Sequence, residues 1–410
     1  MKKFYVIWVS QVISYLGSSV VTFALAWYLT IETGLATILA TSVSISLLPR
    51  IFLGPFIGPY IDRWDRKKII IISDSLVALI TAGLVLLFFT GAIEIWHIYV
   101  AMILRSTGDT VHFPAMKATI PLIVPEKHLS RAAGLNQMLD GVTDIIGPPM
   151  GAVMMETLPV YGVLSVDIAT AAVAVGCIAL ISIPKPVRTT LTSTTSVITD
   201  MVQGFRYIWS WRGFTLLLGL IALLRIFTTP GIVLLPVFVT EHLDGDVMKL
   251  GWLDSAFGFG TIVGGLIIGV WGGFKRRIIT SLAGLFISGI SIIGLGFTTV
   301  NLFFFGIAAA FLIALGLTFR DAPLIALFQS VIDKDMQGRV FSLIGSINGI
   351  AQSLGLAIAG PVADAMGTRF LLYIAGAAVI AIGITFIFIP SIMNLENYKP
   401  DESSQLTTQS

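Results

Sequence analysis

The sequence predicts an all-α integral membrane protein with twelve transmembrane helices. Of its 410 residues 56% are hydrophobic and only 12% are charged, and the mean hydropathy is +0.92. An average globular chain is about a quarter charged, so this composition excludes a soluble enzyme, a nucleic-acid-binding protein and a disordered scaffold. A membrane β-barrel is excluded because its strands alternate in polarity and are roughly 10 residues long, whereas these apolar runs are longer and do not alternate.

The apolar runs are long enough to cross a bilayer, which takes about 20 mostly apolar residues. Twelve segments meet this requirement, and in chain order they are Phe4–Thr30, Leu35–Tyr60, Ile69–Thr90, Ile95–Val124, Ala132–Met155, Val160–Ile183, Phe214–Val239, Leu250–Trp271, Ile278–Thr298, Leu302–Phe328, Arg339–Pro361 and Phe370–Pro390.

The basic residues orient these helices. An even number of spans places both termini on one side, and most of the 25 Lys and Arg residues fall in segments on that side. Because basic loops stay in the cytoplasm, this side is predicted to be cytoplasmic. We therefore expect a multi-pass protein of a bacterial cell membrane, with the lipid bilayer around it and both termini in the cytoplasm.

An internal repeat divides the chain into two halves. Lys67 recurs as Lys275 and Gly147 as Gly355, a shift of 208 residues in both cases. Duplication of a six-helix unit explains this shift, and transporters are often built from two such repeats with a site between them. The predicted units are a first bundle at 1–184, a cytoplasmic linker with an amphipathic helix at 185–212, a second bundle at 213–394 and a disordered tail at 395–410.

Residue counts exclude several kinds of site. The single cysteine, Cys177, and four scattered histidines argue against a disulfide framework and a transition-metal site. A net charge of +2 provides no basic surface for nucleic acid. The chain has no glycine-rich loop ending in Gly-Lys-Ser/Thr, which an ATP-driven pump requires. The sequence therefore predicts no enzymatic activity, no cofactor, no metal and no nucleic-acid partner.

The loop between the second and third spans places an acid inside a basic cluster. Its members are Gly58, Asp62, Arg63, Arg66, Lys67 and Lys68. Asp62 at a helix end can accept hydrogen bonds from backbone N–H groups of a neighbouring helix. The basic residues can pair with carboxylates across the two halves, and Gly54 with Gly58 can let two helices approach closely. This pattern predicts a gating loop.

Three motifs resemble the major facilitator superfamily. The loop 58–68 resembles that superfamily's loop signature, and Arg105 to Gly108 in the fourth span resembles its arginine motif, which is associated with proton coupling. In the fifth span, Gly147, Pro148 and Gly151 resemble the Gly-Pro-x-x-Gly-Gly antiporter motif, with Ala152 in place of the last glycine. Among its members, the macrolide-efflux branch of drug–proton antiporters is most similar, through segments such as 119–126 and 338–343.

Charged side chains inside the spans mark candidate proton sites, because an ionisable group at mid-bilayer costs at least about 2.5 kcal/mol unless it has a partner or a wet cavity. Arg105 and Asp109 share a face of the fourth span, and Asp140 and Asp144 share a face of the fifth. An acid that alternates between an apolar and an arginine-paired setting takes up and releases a proton. The three aspartates are the proton-coupling candidates, with Arg105 as their tuning partner.

Polar residues at helical spacing predict a substrate cavity. Gln11, Tyr15, Ser18 and Thr22 form a stripe on the first span, and the family resemblance implies that this helix lines the cavity. His112 on the fourth span and Arg225 on the seventh are predicted to line the same cavity.

The remaining charged residues of the spans are expected to pair or to be solvated. Arg225 is expected to need a partner across the cavity. Asp74 is expected to pair with the basic loop, Asp167 and Asp254 to be solvated near the outer side, and Arg320 with Asp321 to act only at the inner end of its span.

The sequence as a whole predicts a monomeric secondary transporter that exports amphiphilic small molecules, such as macrolides, in exchange for protons. One alternative keeps the fold and changes the cargo to a self-made siderophore or peptide antibiotic. A second alternative is a receptor or regulator with the same fold and no turnover. The intramembrane carboxylates and the Gly-Pro motif favour transport.

Overall fold

The computed structural model describes residues 2–125, 128–181, 205–209, 211–332 and 336–393, and within these ranges it describes no side chains at 2–3, 55, 58–63, 121, 129–131, 133–134, 136–142, 144, 212 and 338. Its helices are α1 Lys2–Thr33, α2 Ala36–Arg63, α3 Arg66–Thr90, α4 Ile95–Ile123, α5 Leu129–Thr157, α6 Val160–Leu180, α7 Arg212–Val233, α8 Leu235–His242, α9 Val247–Trp271, α10 Arg277–Gly296, α11 Phe303–Val331, α12 Gln337–Met366, α13 Thr368–Phe388 and the short α14 Pro390–Met393.

The helices confirm the predicted fold class. Ten helical segments in the described part of the chain are long and apolar enough to cross a membrane. The remaining two, α4 and α5, carry more polar residues, and each has 29 residues, which is also enough. With α7 and α8 counted as one crossing, the helices match the twelve predicted spans. The linker helix lies outside the described residues except for a helical stretch at 205–209, and so does the tail.

The seventh span differs from the prediction, because it is broken at Leu234 rather than continuous over Phe214–Val239. Pro236 stands at the start of α8 and has no backbone N–H to continue the hydrogen-bond ladder of α7. The two pieces remain joined, since the Leu234 N–H donates to Pro230 and the Leu234 carbonyl accepts from Phe238.

The two halves repeat in their packing as well as in their sequence. The helices α4 and α6 begin at residues 95 and 160, and their counterparts α11 and α13 begin at 303 and 368, again 208 residues later. In the first half α1 packs on α5 and α6, and α4 packs on α2 and α3. In the second half α7 packs on α12 and α13, and α11 packs on α9 and α10, which are the same pairs.

Two seams join the halves: α2 packs on α12, the counterpart of α5, and α5 packs on α9, the counterpart of α2. We call the side of the bundle where α1 begins the terminal face and the other side the far face. Near the far face both seams are tight. A Cβ added to Gly360 would lie 2.8 Å from the Thr37 Cα, and one on Gly251 would lie 2.8 Å from the Ala152 Cβ.

A carboxylate crosses one of these seams at the far face. Asp364 on α12 accepts hydrogen bonds from the backbone N–H groups of Ala36, at 2.6 Å, and Thr37, at 3.1 Å, at the start of α2. The N-terminus of a helix favours a negative charge, so this contact holds the far ends of the halves together.

Toward the terminal face the same seam opens. Gly349 still meets Ile51 closely, but Gly345 and Gly54, one turn further on each helix, have no neighbour within 4 Å. The prediction that Gly54 allows a close helix approach is therefore wrong, because α2 and α12 have already separated at this level. The result is a cavity between the halves that is closed at the far face.

Candidate functional site

The cavity between the halves has three lobes that share wall residues. The first lobe, of about 320 Å³, lies among α1, α2 and α4. The second lies between α2 and α12, and it shares Leu47 and Arg50 with the first. The third lies among α7, α11 and α12, and it shares Phe341 and Asn348 with the second. The cavity thus reaches helices of both halves. Of the predicted substrate residues, those that line it are Tyr15, Ser18, Thr22, His112 and Arg225.

The prediction that Gln11 lines the cavity is wrong. Gln11 is only 1% exposed, and its amide donates to Asp74 at 3.2 Å instead of facing the cavity. Asp74 is corrected with it, because the carboxylate predicted to pair with the basic loop accepts from Gln11 and lies 3.0 Å from His112 Nε2. Both residues point into the contact of α1, α3 and α4, which places them behind the cavity wall.

A buried ion pair joins the helices of the first half. Arg105 on α4 lies 2.6 Å from Asp167 on α6, and the two side chains are 9% and 1% exposed. Asp167 also accepts from Ser18 on α1 and Thr81 on α3, each at 2.9 Å, and Arg105 donates to Thr81 as well. The carboxylate is therefore surrounded by donors from three other helices, an arrangement that offsets the desolvation of both charges.

This pair corrects one prediction and adds a partner that the sequence did not indicate. Asp167 is buried and paired, whereas it was expected to be solvated near the outer side. Arg105 forms its ion pair with Asp167, and its effect on Asp109, one turn away, stays a prediction. The sequence could not reveal this partner, because Asp167 lies 62 residues away on another helix.

Asp109 is the charged group of α4 that faces the cavity. It lies one turn from Arg105, lines the first lobe and is exposed there. Within the described part of the chain its carboxylate has no hydrogen bond or ion pair. Arg50 on α2 is likewise exposed and lines both the first and the second lobe. The first lobe therefore presents an accessible negative charge and an accessible positive charge to whatever enters it.

The second half contributes a three-residue charge cluster. Arg225 on α7 lies 3.2 Å from Asp321 on α11, and Arg320 donates to the same carboxylate through Nε at 2.6 Å and Nη2 at 2.9 Å. Arg225 and Asp321 line the third lobe. Arg225 thus has its partner within its own half, and Arg320, only 2% exposed, is a buried anchor rather than a charge at the end of the helix. Both findings correct the predictions.

Asp254 on α9 is not solvated as predicted. It lies at a small apolar cavity inside the second bundle, lined by residues of α7 to α11 and α13 such as Leu235, Phe257 and Ile313. The equivalent core of the first half holds the ion pair of Arg105, and Ile313 is the counterpart of that arginine under the shift of 208 residues. The two bundles therefore share a fold and differ in the charge of their cores.

The described part of the gating loop is bonded within its own half. Asp65 caps α3 by accepting from the backbone N–H groups of Lys67 and Lys68. Lys67 Nζ donates to Ala179 and Ile181 at the end of α6, at 2.7 and 2.9 Å, and Arg66 donates to Ala118 on α4 at 2.6 Å. Lys67 therefore joins the start of α3 to the end of α6, whereas it was predicted to pair with carboxylates across the halves.

Several predicted site residues lie where no side chain is described. They are Gly58, Asp62 and Arg63 at the end of α2, and Asp140 and Asp144 on α5. Their roles in gating and in proton coupling stay predictions.

The family follows from a comparison with known sequences. A family model described as "Transmembrane secretion effector", one of the major facilitator families, matches residues 1–408. The chain belongs to this family. Membership makes it a multi-pass membrane transporter of the major facilitator superfamily, as the three sequence motifs predicted.

Individual relatives of this transporter are known. It is 30% identical over 394 residues to "Macrolide efflux protein A" of Streptococcus pyogenes, with 96% of this chain and 97% of the relative covered. It is 23% identical over 398 residues to "Multidrug efflux pump Tap" of Mycolicibacterium fortuitum, with 93% and 94% covered. The solved structure of the nucleoside transporter NupG matches the fold with a TM-score of 0.74 at 12% identity, covering 97% of this chain and all of the other.

The glycines of the Gly-Pro motif, Gly147 and Gly151, lie where α5 contacts α1. A Cβ on Gly147 would overlap Ser19, and one on Gly151 would lie 2.8 Å from the Phe23 ring. The next residue, Ala152, meets Gly251 of α9 across the second seam. The glycines therefore let α5 lie against α1 while the other side of α5 contacts the second half.

Substituting leucine for Gly147 should separate α5 from α1 and reduce transport at least tenfold, because a side chain at this position has no room beside Ser19. Initial transport rates per inserted molecule in proteoliposomes measure the effect. Gly176→Leu is the matched control, since a Cβ at Gly176 meets nothing within 4 Å. If Gly147→Leu transports like Gly176→Leu, the close approach has no function.

Proposed function

We propose that this transporter exports amphiphilic small molecules, macrolide antibiotics among them, across the bacterial cell membrane in exchange for protons. Two relatives that cover nearly the whole chain are named for macrolide and multidrug efflux. In this proposal the terminal face is cytoplasmic, the protein acts as a monomer, and the bundles 1–184 and 213–394 move as units about the linker.

The observation that carries the proposal is the Asp109 carboxylate. It is exposed in the first lobe and has no partner among the described residues. A carboxylate in a cavity shielded from bulk water attracts a cation strongly. It can hold the basic group of a cargo molecule or a proton, and not both at once. Competition of this kind exchanges cargo for protons when the cavity opens to each side in turn.

The cavity wall suits an amphiphilic cargo. The first lobe combines hydroxyl groups and charges with apolar side chains such as Leu25, Leu47, Met102 and Phe113. Binding sites for small molecules are mostly apolar, with a few polar groups that fix orientation. Arg50 across from Asp109 and Arg225 in the third lobe supply further polar contacts. The equivalent roles of Asp140 and Asp144, and gating by Asp62, belong to the same proposal.

Energised inverted membrane vesicles should accumulate erythromycin, used as the probe, and release it when an uncoupler is added. Asp109→Asn should abolish this uphill accumulation, because the amide can neither release a proton nor balance a cationic cargo. Glu32→Gln is the matched control, since Glu32 is an exposed acid at the far end of α1. Accumulation that survives the uncoupler would refute proton exchange, and full accumulation by Asp109→Asn would refute its assigned role.

A further inference from the structure

A chain of polar side chains lies in the wall of the first lobe, separate from the ion pair of Arg105. The buried His112 ring on α4 has Nδ1 3.2 Å from the Tyr15 hydroxyl on α1 and Nε2 3.0 Å from Asp74 Oδ1 on α3. Gln11 donates to the second Asp74 oxygen at 3.2 Å. The imidazole ring therefore connects a buried carboxylate with a phenol that lines the cavity.

The Asp74 end of this chain fixes the imidazole ring. An ionised carboxylate only accepts hydrogen bonds, so the ring nitrogen that faces it, Nε2, carries a hydrogen in both the neutral and the charged ring. The Gln11 amide faces the other oxygen in both cases. One Asp74 oxygen therefore faces the imidazole ring and the other accepts from Gln11.

The Tyr15 end tolerates a change in protonation. A phenol hydroxyl can donate to the lone pair of a bare Nδ1, and it can equally accept from a protonated Nδ1. The proton on Nδ1 can thus be added or removed with the side chains in place. Since His112 and Tyr15 both line the first lobe, water in the cavity can reach this end of the chain.

The charges around the ring are few. From α3 the ring faces Asp74, and on α4 itself Asp109 lies one turn away. Tyr15 is the titratable group of α1 at the ring, and Arg50 of α2 lines the same lobe. The acidic side chains of α5 are outside the described residues. Two cations line this lobe: Arg105 of α4 is paired with Asp167, and Arg50 stands on another wall, so the charges nearest the ring are the two carboxylates.

We propose that His112 binds and releases a proton during the transport cycle, held in place by Asp74 and connected to the cavity by Tyr15. The inference rests on the proposed function and adds a second proton site to Asp109. While the cavity is open to the terminal face, the Nδ1–H bond of the imidazolium breaks and the proton passes to cavity water. While it is open to the far face, water on that side returns a proton to Nδ1, and no other bond changes.

The first test needs no transport. The full chain is labelled at its four histidines, and His97→Gln, His128→Gln and His242→Gln leave His112 as the one imidazole in the NMR spectrum. We expect this ring to change protonation between about pH 5 and pH 8, and Asp74→Asn to shift the midpoint downward, because the neutral amide no longer stabilises the imidazolium. A ring that keeps one protonation state across this range, or a midpoint that Asp74→Asn leaves in place, overturns the proposal.

The second test measures coupling in proteoliposomes, with erythromycin as the probe and a pH-sensitive dye inside the vesicles. The double variant Asp74→Asn with His112→Gln keeps donor and acceptor groups in place without a titratable ring. The ratio of protons to erythromycin moved should fall below that of the wild type, because one of the proposed proton sites is lost. His97→Gln, at a half-buried histidine in the first turn of α4 that does not line the first lobe, should leave the ratio unchanged. An unchanged ratio in the double variant overturns the inference and leaves Asp109 as the coupling group. Erythromycin movement without proton movement in the wild type overturns the proposed function.

Discussion

Asp167→Asn should destabilise the folded protein by about 3–5 kcal/mol, because it removes one charge of a buried pair and leaves the Arg105 guanidinium uncompensated. The asparagine retains one acceptor oxygen, but it cannot satisfy Ser18, Thr81 and Arg105 together. These donors come from α1, α3 and α4, so the packing of most of the first bundle depends on this one carboxylate. Among the acids of the described residues we expect no larger effect on folding.

The effect is measured as the yield of monodisperse protein after heating in detergent, together with the rate of proteolysis in the native membrane. Asp244→Asn provides the control, since Asp244 is an exposed acid in the turn before α9. The paired substitution Arg105→Met with Asp167→Leu should restore folding, because replacing a buried ion pair with apolar residues of similar volume is often neutral.

The rescued protein also separates structure from coupling. If Arg105 serves only to neutralise Asp167, the double variant should fold and should still accumulate erythromycin in energised vesicles. If it folds and fails to accumulate, Arg105 acts on the cavity in addition to its structural role. An Asp167→Asn protein that folds like wild type would contradict the account of the first bundle given above.

The helices could be predicted from the sequence because a bilayer imposes a length and a composition on each of them. The repeat could be predicted for a related reason: basic residues and glycines at loops and helix contacts, such as Lys67 with Lys275, recur with the shift of the duplicated unit. The break at Leu234 was visible in principle, since Pro236 interrupts the hydrogen-bond ladder.

The partners of the charged residues could not be predicted. Arg105 and Asp167 are 62 residues apart, and Arg225 and Asp321 are 96 apart. Whether two side chains on different helices meet depends on the rotation and tilt of each helix, which is decided by packing over many residues. Spacing along one helix identifies which residues share a face, as it did for Arg105 and Asp109, and says little about what that face contacts.

The two bundles differ in where their charged residues lie. The first bundle neutralises Arg105 in its core and leaves Asp109 and His112 at the cavity wall. The second bundle holds Arg225 with Asp321 at the cavity wall and leaves Asp254 in an apolar core. The duplicated scaffold thus gives both bundles the same helices, while the charged residues on those helices differ.

A second difference between the two halves lies at the far face, where the cavity is closed. Asp364 bonds the start of α2 across the first seam. Its counterpart under the shift of 208 residues is Glu156 on α5, which is exposed. On the second seam the start of α9 is capped by Asp246 of its own chain segment, which accepts from the Lys249 N–H at 2.9 Å. Asp364 therefore joins the two halves at the far face through the seam of α2 and α12.

Asp364→Ala should shift the resting conformation toward one that is open at the far face. The change removes two hydrogen bonds to a charged acceptor, each worth about 1.5–3 kcal/mol, so the loss of even one corresponds to roughly a 10- to 100-fold change in population. Spin labels at Trp96→Cys and Phe304→Cys, counterparts at the far ends of α4 and α11, report the separation of the halves in a Cys177→Ser background. We expect a longer distance component in Asp364→Ala and a smaller one in Asp364→Asn, whose amide oxygen still accepts one bond. Glu156→Ala should leave the distances unchanged, and equal distance distributions in Asp364→Ala and Glu156→Ala would show that apolar packing alone closes the far face.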